Sequence, residues 1–385
     1  MRSKLPDVGT TIFTVMSRRA AELGAVNLGQ GFPDYAIDPR LAQFVAQAMC
    51  EGYNQYAPMA GSMLLRERIA AKFSGLRGLI VDPESEITIT LGATEAIFSA
   101  IQAVVGPGDE AIIFDPAYDS YEPAIRLSGG QCVRIPLAPP QFAYDWDRVR
   151  GAINERTRMI VVNSPHNPAC TTLAREDLDQ LAAAIGGRDI IVLSDEVYEH
   201  VIFDGREHHS VLQHEDLATR SIAVYSFGKV LHSTGLRVGY AIAPESLTTE
   251  VRKVHQFNTF SIAHSLQQAI ALYVDENPGM WRELGPFLQS RRDLLTSLLE
   301  GCGLHAIPAQ GSFFQLFDFA ALSQRNDQRF ANELLEIAGV ATIPLSVFYA
   351  EPPKPGLLRL CFAKEEATLR LGAERLQEFA RDAGL

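Results

Sequence analysis

The 385-residue sequence is poor in cysteine and in positive charge, and it contains no long hydrophobic run. Its five cysteines are scattered without any C-x-x-C pair, which argues against a zinc site and favours free thiols in the cytoplasm. Lys and Arg number 34 against 46 Asp and Glu, and the net charge of -12 argues against a nucleic-acid partner. No stretch approaches the roughly 18 apolar residues that span a bilayer, and the first residues show no signal peptide, so we expect no membrane partner. The histidines lack metal-ligand spacing, so no metal site is predicted.

What the sequence does contain, in its middle part, is an alternation of short apolar runs with longer amphipathic ones. Several of the short runs lack period-two alternation, as expected for strands that are buried on both faces. This βαβ order predicts an α/β fold with a mostly parallel central sheet flanked by helices. The predicted strands cover residues 87–90, 111–114, 159–162, 190–193, 222–225 and 237–242, and the predicted helices cover residues 94–105, 173–185 and 245–257.

After about residue 277 the pattern changes to a long helix followed by short strands and further helices, one of them near residues 328–338. This change predicts a second, smaller α+β domain at the C-terminal end of the chain. We expect the first 38 residues to pack with it, because Pro33 and Pro39 separate them from the central part of the chain. The predicted division is a large domain of residues 39–277 and a small domain of residues 1–38 and 278–385.

Four short polar segments lie at the ends of the predicted strands. The first three directly follow an apolar run, and the fourth begins one. Because ligands bind at the carboxyl ends of strands in sheets of this kind, we expect all four segments to meet at one crevice. They are Asn163-Ser-Pro-His-Asn167-Pro168, Ser194-Asp-Glu-Val-Tyr198, Ser226-Phe-Gly-Lys229 and Gly235-Leu-Arg-Val-Gly239.

The residue types in these segments suit an aromatic aldehyde with a ring nitrogen, a phenolic oxygen and a phosphate. Lys229 can form an imine with the aldehyde and can later move a proton. Asp195 can keep the ring nitrogen protonated, so that the ring accepts electrons from the substrate. Asn167 and Tyr198 can donate hydrogen bonds to the phenolic oxygen. These side chains therefore predict one ligand and one reaction centre.

The phosphate of such a ligand needs a cation and several hydrogen-bond donors. Arg237 offers a fork of N–H groups, and Ser226 offers a hydroxyl. The turn Gly92-Ala93-Thr94 begins a predicted helix, whose first N–H groups suit an anion. We therefore expect these residues to form the phosphate end of the site.

Taken together, these motifs resemble the class I and II aminotransferases, which are pyridoxal-phosphate enzymes of the aspartate aminotransferase fold (fold type I). The resemblance rests on the spacing from Lys229 to Arg237 and on the segments above, and it runs from about residue 10 to the end. It implies that pyridoxal 5'-phosphate is held as a Schiff base on Lys229. One departure is Gly228, which stands where many members have a second serine and removes one phosphate hydroxyl. Further matching segments are Gly29-Gln-Gly-Phe-Pro-Asp34, Asp195-Glu-Val-Tyr198 and Leu358-Arg-Leu-Cys-Phe362.

Within the family, several stretches resemble the methionine aminotransferase and kynurenine aminotransferase branch most closely. They are Phe114-Asp-Pro-Ala-Tyr-Asp-Ser-Tyr121, Ser226-Phe-Gly-Lys229, Lys253-Val-His-Gln256 and Ile343-Pro-Leu-Ser-Val-Phe348. The resemblance therefore implies a donor with a bulky uncharged side chain, such as methionine, an aromatic amino acid or kynurenine.

The resemblance also implies roles for residues outside the four segments. Tyr118 sits where the family stacks an aromatic ring on the cofactor, and Arg359 sits where it binds the substrate α-carboxylate. Tyr56 sits where a tyrosine reaches the cofactor phosphate of the partner subunit, which implies a homodimer. Gly31 is expected to approach the substrate carboxylate through its backbone. Further apolar or aromatic candidates for the substrate pocket are Tyr35, Phe313 and Phe348, and His232 is a candidate neighbour of Lys229.

The predicted function is transamination between an L-amino acid and a 2-oxo acid. One alternative is a cysteine-conjugate β-lyase, since the same cofactor motifs serve β-elimination on this fold. A transcription regulator with an aminotransferase-like domain would need an N-terminal DNA-binding domain, and the family motifs here begin within the first 35 residues. Residues Tyr225 to Lys229 also match the Y-x-x-x-K pair of short-chain dehydrogenases, but the glycine-rich turn that those enzymes need after the first strand is absent.

Overall fold

The computed structural model describes residues 3–354 and 356–384. The helices are numbered in chain order as α1 (Ile12–Glu22), α2 (Pro39–Cys50), α3 (Met63–Arg77), α4 (Gly92–Val104), α5 (Tyr121–Ser128), α6 (Trp146–Ala152), α7 (Arg175–Ile185), α8 (Glu215–Ala218), α9 (Phe227–Val230), α10 (Glu245–Asn258), α11 (His264–Glu276), α12 (Met280–Leu298), α13 (Asp327–Glu333) and α14 (Glu366–Asp382). The strands are β1 (Val26–Asn27), β2 (Ile87–Thr90), β3 (Glu110–Asp115), β4 (Gln131–Pro136), β5 (Thr157–Asn163), β6 (Ile191–Asp195), β7 (Ser221–Ser226), β8 (Gly239–Ile242), β9 (His305–Ile307), β10 (Phe314–Asp318), β11 (Val340–Ala341), β12 (Ile343–Pro344) and β13 (Leu357–Cys361).

A seven-stranded sheet forms the centre of the molecule, in the order β2-β8-β7-β6-β5-β3-β4. Only β8 runs antiparallel to its neighbours in this sheet, so the predicted mostly parallel sheet is confirmed. Every residue of β3 and β6 is buried, because helices cover both faces of the sheet. The predicted α/β fold with flanking helices is therefore confirmed.

The register of the sheet brings the four polar segments to one edge. Asn163, at the end of β5, lies opposite Asp195 at the end of β6. Ser226, at the end of β7, lies opposite Gly239, which begins β8. Because β8 runs in the opposite direction, its first residue lies at the edge where the parallel strands end. Arg237 thus reaches the same edge as Lys229.

A second sheet, antiparallel throughout, has the order β12-β13-β10-β9 and carries Arg359 in β13. The N-terminal segment lies beside this region, because β1 pairs in parallel with β11 through Val26 and Val340. Helix α14 contacts both α12 and β1. The division into residues 39–277 and residues 1–38 with 278–385 stays a prediction, which these pairings support.

Three local features differ from the sequence prediction. The strand predicted from Arg237 begins only at Gly239, since Arg237 has φ 54° and ψ 48° and therefore lies in the left-handed region. Strand β4 was not predicted, because most of it is only half-buried at the edge of the sheet and its apolar run is broken. The helix predicted near residues 328–338 ends in a wider π turn from Leu334 to Ala338. Among the described residues, no helix combines the length and the hydrophobicity needed to cross a bilayer.

Candidate active site

Two adjoining cavities open at the edge of the sheet where the polar segments meet. The smaller has a volume of about 100 Å³ and the larger about 280 Å³. The two share part of their walls, so they form one continuous site. The shared residues are Tyr118, Asn167, Tyr198, Lys229 and Arg237.

Lys229 lies between the two cavities. It belongs to the one-turn helix α9, which directly follows β7 and ends that strand at the edge of the sheet. Its Nζ donates a hydrogen bond to the backbone oxygen of Gly31 at 3.3 Å and lies over the rings of Tyr198 and Phe313. Removal of the amine from water lowers the pKa of Lys229 to about 8, and nearby Arg359 acts in the same direction. The neutral, nucleophilic form of the amine is therefore accessible near physiological pH.

Asp195 ends β6 and faces the smaller cavity with only 4% of its surface exposed. Burial raises the pKa of its carboxyl group to about 6, against the opposing effect of the Tyr121 hydroxyl, which donates to Oδ2 at 2.7 Å. The side-chain amide of Asn163 donates to the backbone oxygen of Asp195 at 2.8 Å. A buried carboxylate that accepts few hydrogen bonds favours a cationic ligand atom beside it.

Arg359 and Asn167 form the far wall of the larger cavity. The Arg359 guanidinium donates to Oδ1 of Asn167 at 2.7 Å and to the backbone oxygen of Gly29 at 3.0 Å. Its Nε is buried and has no hydrogen-bond partner among the described residues. Three phenylalanine rings surround the guanidinium, with centroids at 3.8 Å (Phe314), 5.0 Å (Phe13) and 5.6 Å (Phe348). A buried cation with unused donors suits a carboxylate ligand.

The opposite end of the site is formed by the first turn of α4 and by Arg237. Ala93, Thr94 and Ser226 line the smaller cavity there. Gly92 has φ 70°, and a Cβ at this position would lie 2.8 Å from the Arg237 guanidinium. A Cβ on Gly239 would lie 2.7 Å from the backbone of Gly92, so both glycines allow β8, α4 and the arginine to pack closely. The N–H groups of a 13-residue helix and one guanidinium thus face the same space.

Two tyrosines complete the walls of the smaller cavity. Tyr118 lines both cavities and packs edge-on against Tyr121, with ring centroids 5.6 Å apart. Tyr198 is 2% exposed and packs edge-on against Phe313 at 5.0 Å. Gly31 lines the larger cavity, where a Cβ would lie 2.5 Å from the Phe314 ring. Tyr118, Tyr198 and Gly31 therefore all line the site.

Several of the predicted residues lie outside both cavities. Tyr35 lines a separate cavity of about 320 Å³, where its hydroxyl lies 3.2 Å from Nδ1 of His232. Tyr56 is 82% exposed and packs edge-on against Phe260 at 5.2 Å. Phe348 lines neither cavity and contacts the site through Arg359 and through Phe13, whose ring centroid lies 5.7 Å from its own.

Several residues of the site were not singled out from the sequence. Tyr121 and Asn163 bind Asp195, and Asn163 also accepts the backbone N–H of Asn167 at 2.7 Å. Phe13, Phe32 and Phe314 line the larger cavity. Asn163 begins one of the four motifs, so its position was a usable signal. Phe32 lies in the matching segment Gly29–Asp34, which was also a usable signal, whereas Phe13 and Phe314 carried none, since they read as ordinary core residues.

The side chains present fit the ligand that the sequence predicts. An amine, a buried carboxylate, an aromatic ring and an anion-binding helix end with a guanidinium surround the smaller cavity in that arrangement. The Arg359 side chain, which lines the larger cavity, adds a cation for a carboxylate there. Cofactor-like and substrate-like ligands thus have separate places that meet at Lys229.

Comparisons with known proteins agree with the family resemblance seen in the sequence. A family model described as aminotransferase class I and II matches residues 24–376. The methionine aminotransferase of Escherichia coli (strain K12) is 48% identical over 377 residues, which cover 98% of each chain. Kynurenine–oxoglutarate transaminase 1 of Homo sapiens is 31% identical, over 94% of this chain and 93% of that protein. The crystal structure of Escherichia coli YbdL, identified as having a methionine aminotransferase function, has a TM-score of 0.96 at 47% identity and covers 98% of this chain and 99% of that chain.

Proposed function

The chain belongs to the class I and II aminotransferases, and we propose that it moves the amino group of L-methionine, or of another bulky uncharged L-amino acid, to a 2-oxo acid. Enzymes of this family and fold depend on pyridoxal phosphate, and this chain is therefore a pyridoxal-phosphate-dependent aminotransferase. The substrate preference is supported by the similarity to a methionine aminotransferase over nearly the whole length of both chains.

One observation supports the substrate class most directly, namely the charge of the larger cavity. Among the described residues that line it, the charged side chains are Lys229, Arg237 and Arg359. Each of these three cations has a place in binding the cofactor or the substrate α-carboxylate. No further cation is left for a second carboxylate on the donor, whereas Phe13, Phe32 and Phe314 offer apolar contact. The cavity therefore favours an uncharged side chain.

The residues of the smaller cavity hold the cofactor. Bound pyridoxal phosphate supplies an aldehyde carbon that the donor nitrogen attacks and a ring that takes up the electron pair left when the α-proton is removed. With the cofactor bound, Asp195 would keep the ring nitrogen protonated and Tyr118 would pack on the ring face. Asn167 and Tyr198 would donate hydrogen bonds to the phenolic oxygen. Arg237 and nearby hydrogen-bond donors would hold the phosphate, and these donors are Gly92, Ala93, Thr94 and Ser226.

Lys229 moves the proton on which the reaction depends. With its pKa near 8, the amine is neutral often enough to accept the proton from the α-carbon of the donor. It can then donate that proton to the aldehyde-derived carbon of the cofactor. The backbone oxygen of Gly31, 3.3 Å away, holds the amine between the cofactor residues and the substrate cavity. Lys229 is accordingly the general base and acid of the reaction.

Arg359 positions the donor through its α-carboxylate. Its guanidinium is held in plane by Asn167 and Gly29, so its remaining N–H groups point in fixed directions. The surrounding phenylalanine rings exclude water and so strengthen the pairing with a carboxylate. The side chain of the donor then lies along Phe13, Gly31 and Phe32, with Tyr35 and Phe348 outside direct contact.

The active unit is a homodimer in this proposal. An exposed aromatic patch of Tyr56, Phe257 and Phe260 supports it, since these side chains are 82%, 87% and 47% exposed. Hydrogen bonds connect the patch to the cofactor end of the site. Ser261, next to Phe260, donates to the backbone oxygen of Ala57, next to Tyr56. His255 is hydrogen-bonded to Glu95 in α4. A second copy of the chain would cover the patch and bring Tyr56 to the phosphate of the partner.

Mixed dimers test this arrangement. Lys229→Ala and Tyr56→Ala are expected to be impaired alone. When the two variants are unfolded and refolded together, half of the dimers are mixed, and one of their two sites has both Lys229 and the partner's Tyr56 intact. We expect recovery of about a quarter of wild-type activity. Activity that stays at the sum of the separate variants would contradict sharing of the site between subunits.

A donor panel tests the substrate class. With a fixed 2-oxo acid, we expect kcat/KM for methionine, phenylalanine and kynurenine to exceed that for aspartate and glutamate by about 100-fold, because a buried unpaired carboxylate is costly. Higher kcat/KM for the acidic donors would contradict the proposal. Release of pyruvate and ammonia from a β-substituted donor without any acceptor would indicate β-elimination instead.

We further place the protein in the cytoplasm, as its thiols indicate. All five cysteines lie in described parts of the chain, and none forms a disulfide. Unpaired cysteines are typical of proteins from a reducing compartment. Fractionation of the source cells tests this placement. Recovery of the aminotransferase outside the cytoplasmic fraction would contradict it.

A further inference from the structure

The turn that carries Asp195 and Tyr198 has a second, buried side. Val197 lines the smaller cavity together with those two residues. Glu196 and Glu199 are not part of that lining, yet they are only 1% and 5% exposed. Two carboxylates are thus buried directly behind the residues that face the cofactor. Burying two charges at this place is costly unless each of them is paired.

Glu196 accepts five hydrogen bonds. Its Oε1 accepts from the hydroxyls of Ser194 and Ser210, both at 3.0 Å, and from the N–H of Val211 at 3.1 Å. Its Oε2 lies 2.8 Å from Nε2 of His208 and accepts from the Tyr225 hydroxyl at 3.0 Å. Burial alone would raise the pKa of Glu196, but His208 and Arg77 outweigh it and lower the pKa below its usual value. The side chain is therefore charged and fixed on both oxygens.

Glu199 pairs with two cations from α3. Lys72 donates to Oε1 and also to the Tyr240 hydroxyl at 2.8 Å, and Arg77 donates to Oε2 at 2.6 Å. Arg77 also donates to the backbone oxygen of His208 at 3.3 Å, which joins the surroundings of the two glutamates. Glu199 is thus paired with Lys72 and Arg77, and Glu196 lies beside His208.

The network connects the ends of the strands that carry the reaction centre. Tyr225 is the residue before Ser226 in β7, and its side chain points to the side opposite the cavity, where it binds Glu196. Tyr225 stacks on Tyr240 of β8 with centroids 4.9 Å apart. The end of β6, with Asp195, is therefore joined from behind to the end of β7, which leads into Lys229, and to β8, which follows Arg237.

We propose that Glu196 and Tyr225 are positioning residues for transamination, which hold Asp195 and Tyr198 in register with Lys229 from the far side of the sheet. The proposal rests on the proposed function of Asp195 as the partner of the cofactor ring. Neighbouring residues of one turn serve the cofactor and the network, so a shift of Glu196 moves Asp195 directly. Outer partners of this kind orient the groups that contact the ligand.

Tyr225→Phe is the variant that tests the proposal most cleanly. It removes one hydroxyl and keeps the packing against Phe73 and Tyr240. Tyr349→Phe is the matched control, because it also removes a single buried hydroxyl, which donates to the backbone oxygen of Leu137 at 2.9 Å. The measurements are the dissociation constant of pyridoxal phosphate from the apoenzyme, the pH midpoint of the visible band of the holoenzyme, and kcat and KM for methionine.

We expect Tyr225→Phe to weaken cofactor binding and to lower kcat by about 3- to 10-fold each, with KM for methionine within about twofold of wild type. The midpoint of the visible band should also move, since it reports the environment of the cofactor. Tyr349→Phe should leave all of these values as in wild type, although it should lower the melting temperature about as much as Tyr225→Phe does. A Tyr225→Phe protein that matches Tyr349→Phe in cofactor affinity and kcat would overturn the proposal.

Glu196→Gln extends the test to the centre of the network. It keeps the shape of the side chain but removes the charge, and we expect losses of about 10- to 100-fold in kcat and cofactor affinity. Wild-type values in this variant would also overturn the proposal, and Tyr225→Phe decides alone if Glu196→Gln does not fold. Failure of the underlying function would look different, because the wild-type protein itself would then not bind pyridoxal phosphate or would respond to no amino donor.

Discussion

At the scale of single residues, the site consists of a few charged groups whose surroundings set their properties. Burial brings the pKa of Lys229 down to about 8 and that of Asp195 up to about 6. Both groups therefore change their charge at a pH nearer to neutral than they would in water. The sequence predicted these two residues from their places after apolar runs. It gave no role to Tyr121, which binds Asp195, because the matching segment Phe114–Tyr121 does not indicate which of its side chains reaches the carboxylate.

The first prediction at this scale concerns Asp195. Asp195→Asn should retain the cofactor but lower kcat by about 100-fold or more, because a neutral amide cannot hold a proton on the ring nitrogen. Tyr121→Phe removes only the bond at 2.7 Å to that carboxylate and should cause a smaller loss. Single-turnover absorbance after mixing with methionine measures both. An Asp195→Asn rate near that of wild type would remove Asp195 from the reaction.

The second prediction concerns Arg359. Arg359→Lys should raise KM for methionine by about 10- to 100-fold, because one bidentate pair with a carboxylate becomes a single contact. Arg292→Lys is the matched control, since Arg292 makes the same kind of paired contact with Asp204, at 2.7 Å from each of two nitrogens, away from both cavities. Steady-state kinetics compare the two variants. Equal KM values would show that Arg359 does not bind the donor.

The third prediction follows from the lowered pKa of Lys229. Only the neutral amine attacks an aldehyde, and in water a lysine amine becomes neutral near its ordinary pKa of 10.5. A folded-state pKa of about 8 means that the rate of cofactor attachment to the apoenzyme should rise with pH and level off above about pH 8. The growth of the visible band after mixing, measured from pH 6 to 10, gives this profile. A rate that continues to rise to pH 10 would contradict it.

At the scale of secondary-structure elements, strand ends and helix starts place the functional side chains. The sequence predicted most central strands to within one or two residues, because strands buried on both faces leave continuous apolar runs. It extended β8 back to Arg237, whose left-handed backbone interrupts the strand while its neighbours stay apolar. It missed β4, whose half-buried edge position weakens the pattern. The two errors arise where tertiary contacts override local preference.

The fourth prediction belongs to the junction of β8 and α4. Gly239→Ala would place a Cβ 2.7 Å from the backbone of Gly92 and so move the first turn of α4 away from Arg237. We expect the affinity for pyridoxal phosphate to fall by about 10-fold or more, since several donors to one anion lose their alignment. Gly151→Ala in α6 meets no atom within 4 Å and is the control. Equal affinities, measured by titration of the apoenzymes, would contradict this account.

At the scale of the whole molecule, two regions of the chain share one site. Lys229 and Asp195 come from the central sheet, whereas Arg359 and Phe314 come from the antiparallel sheet and Phe13 from α1. The comparisons confirm the family, the fold and the cofactor predicted from the sequence. This prediction was possible because the motifs occur in the right order along the chain. The lining of the substrate cavity could not be predicted in this way. Phe13 and Phe314 come from distant segments and resemble core residues, and the proposed role of Tyr56 depends on a second subunit.

The central claim, that Lys229 carries pyridoxal phosphate and moves the donor's proton, is tested most directly by absorption spectra. The purified protein, supplied with pyridoxal phosphate and then with L-methionine, should show a visible band that disappears as the pyridoxamine form accumulates. Lys229→Ala, measured in parallel, should bind the cofactor without forming that band and should not turn over. A wild-type protein that stays colourless with added cofactor, or a Lys229→Ala protein with unchanged turnover, would contradict the account.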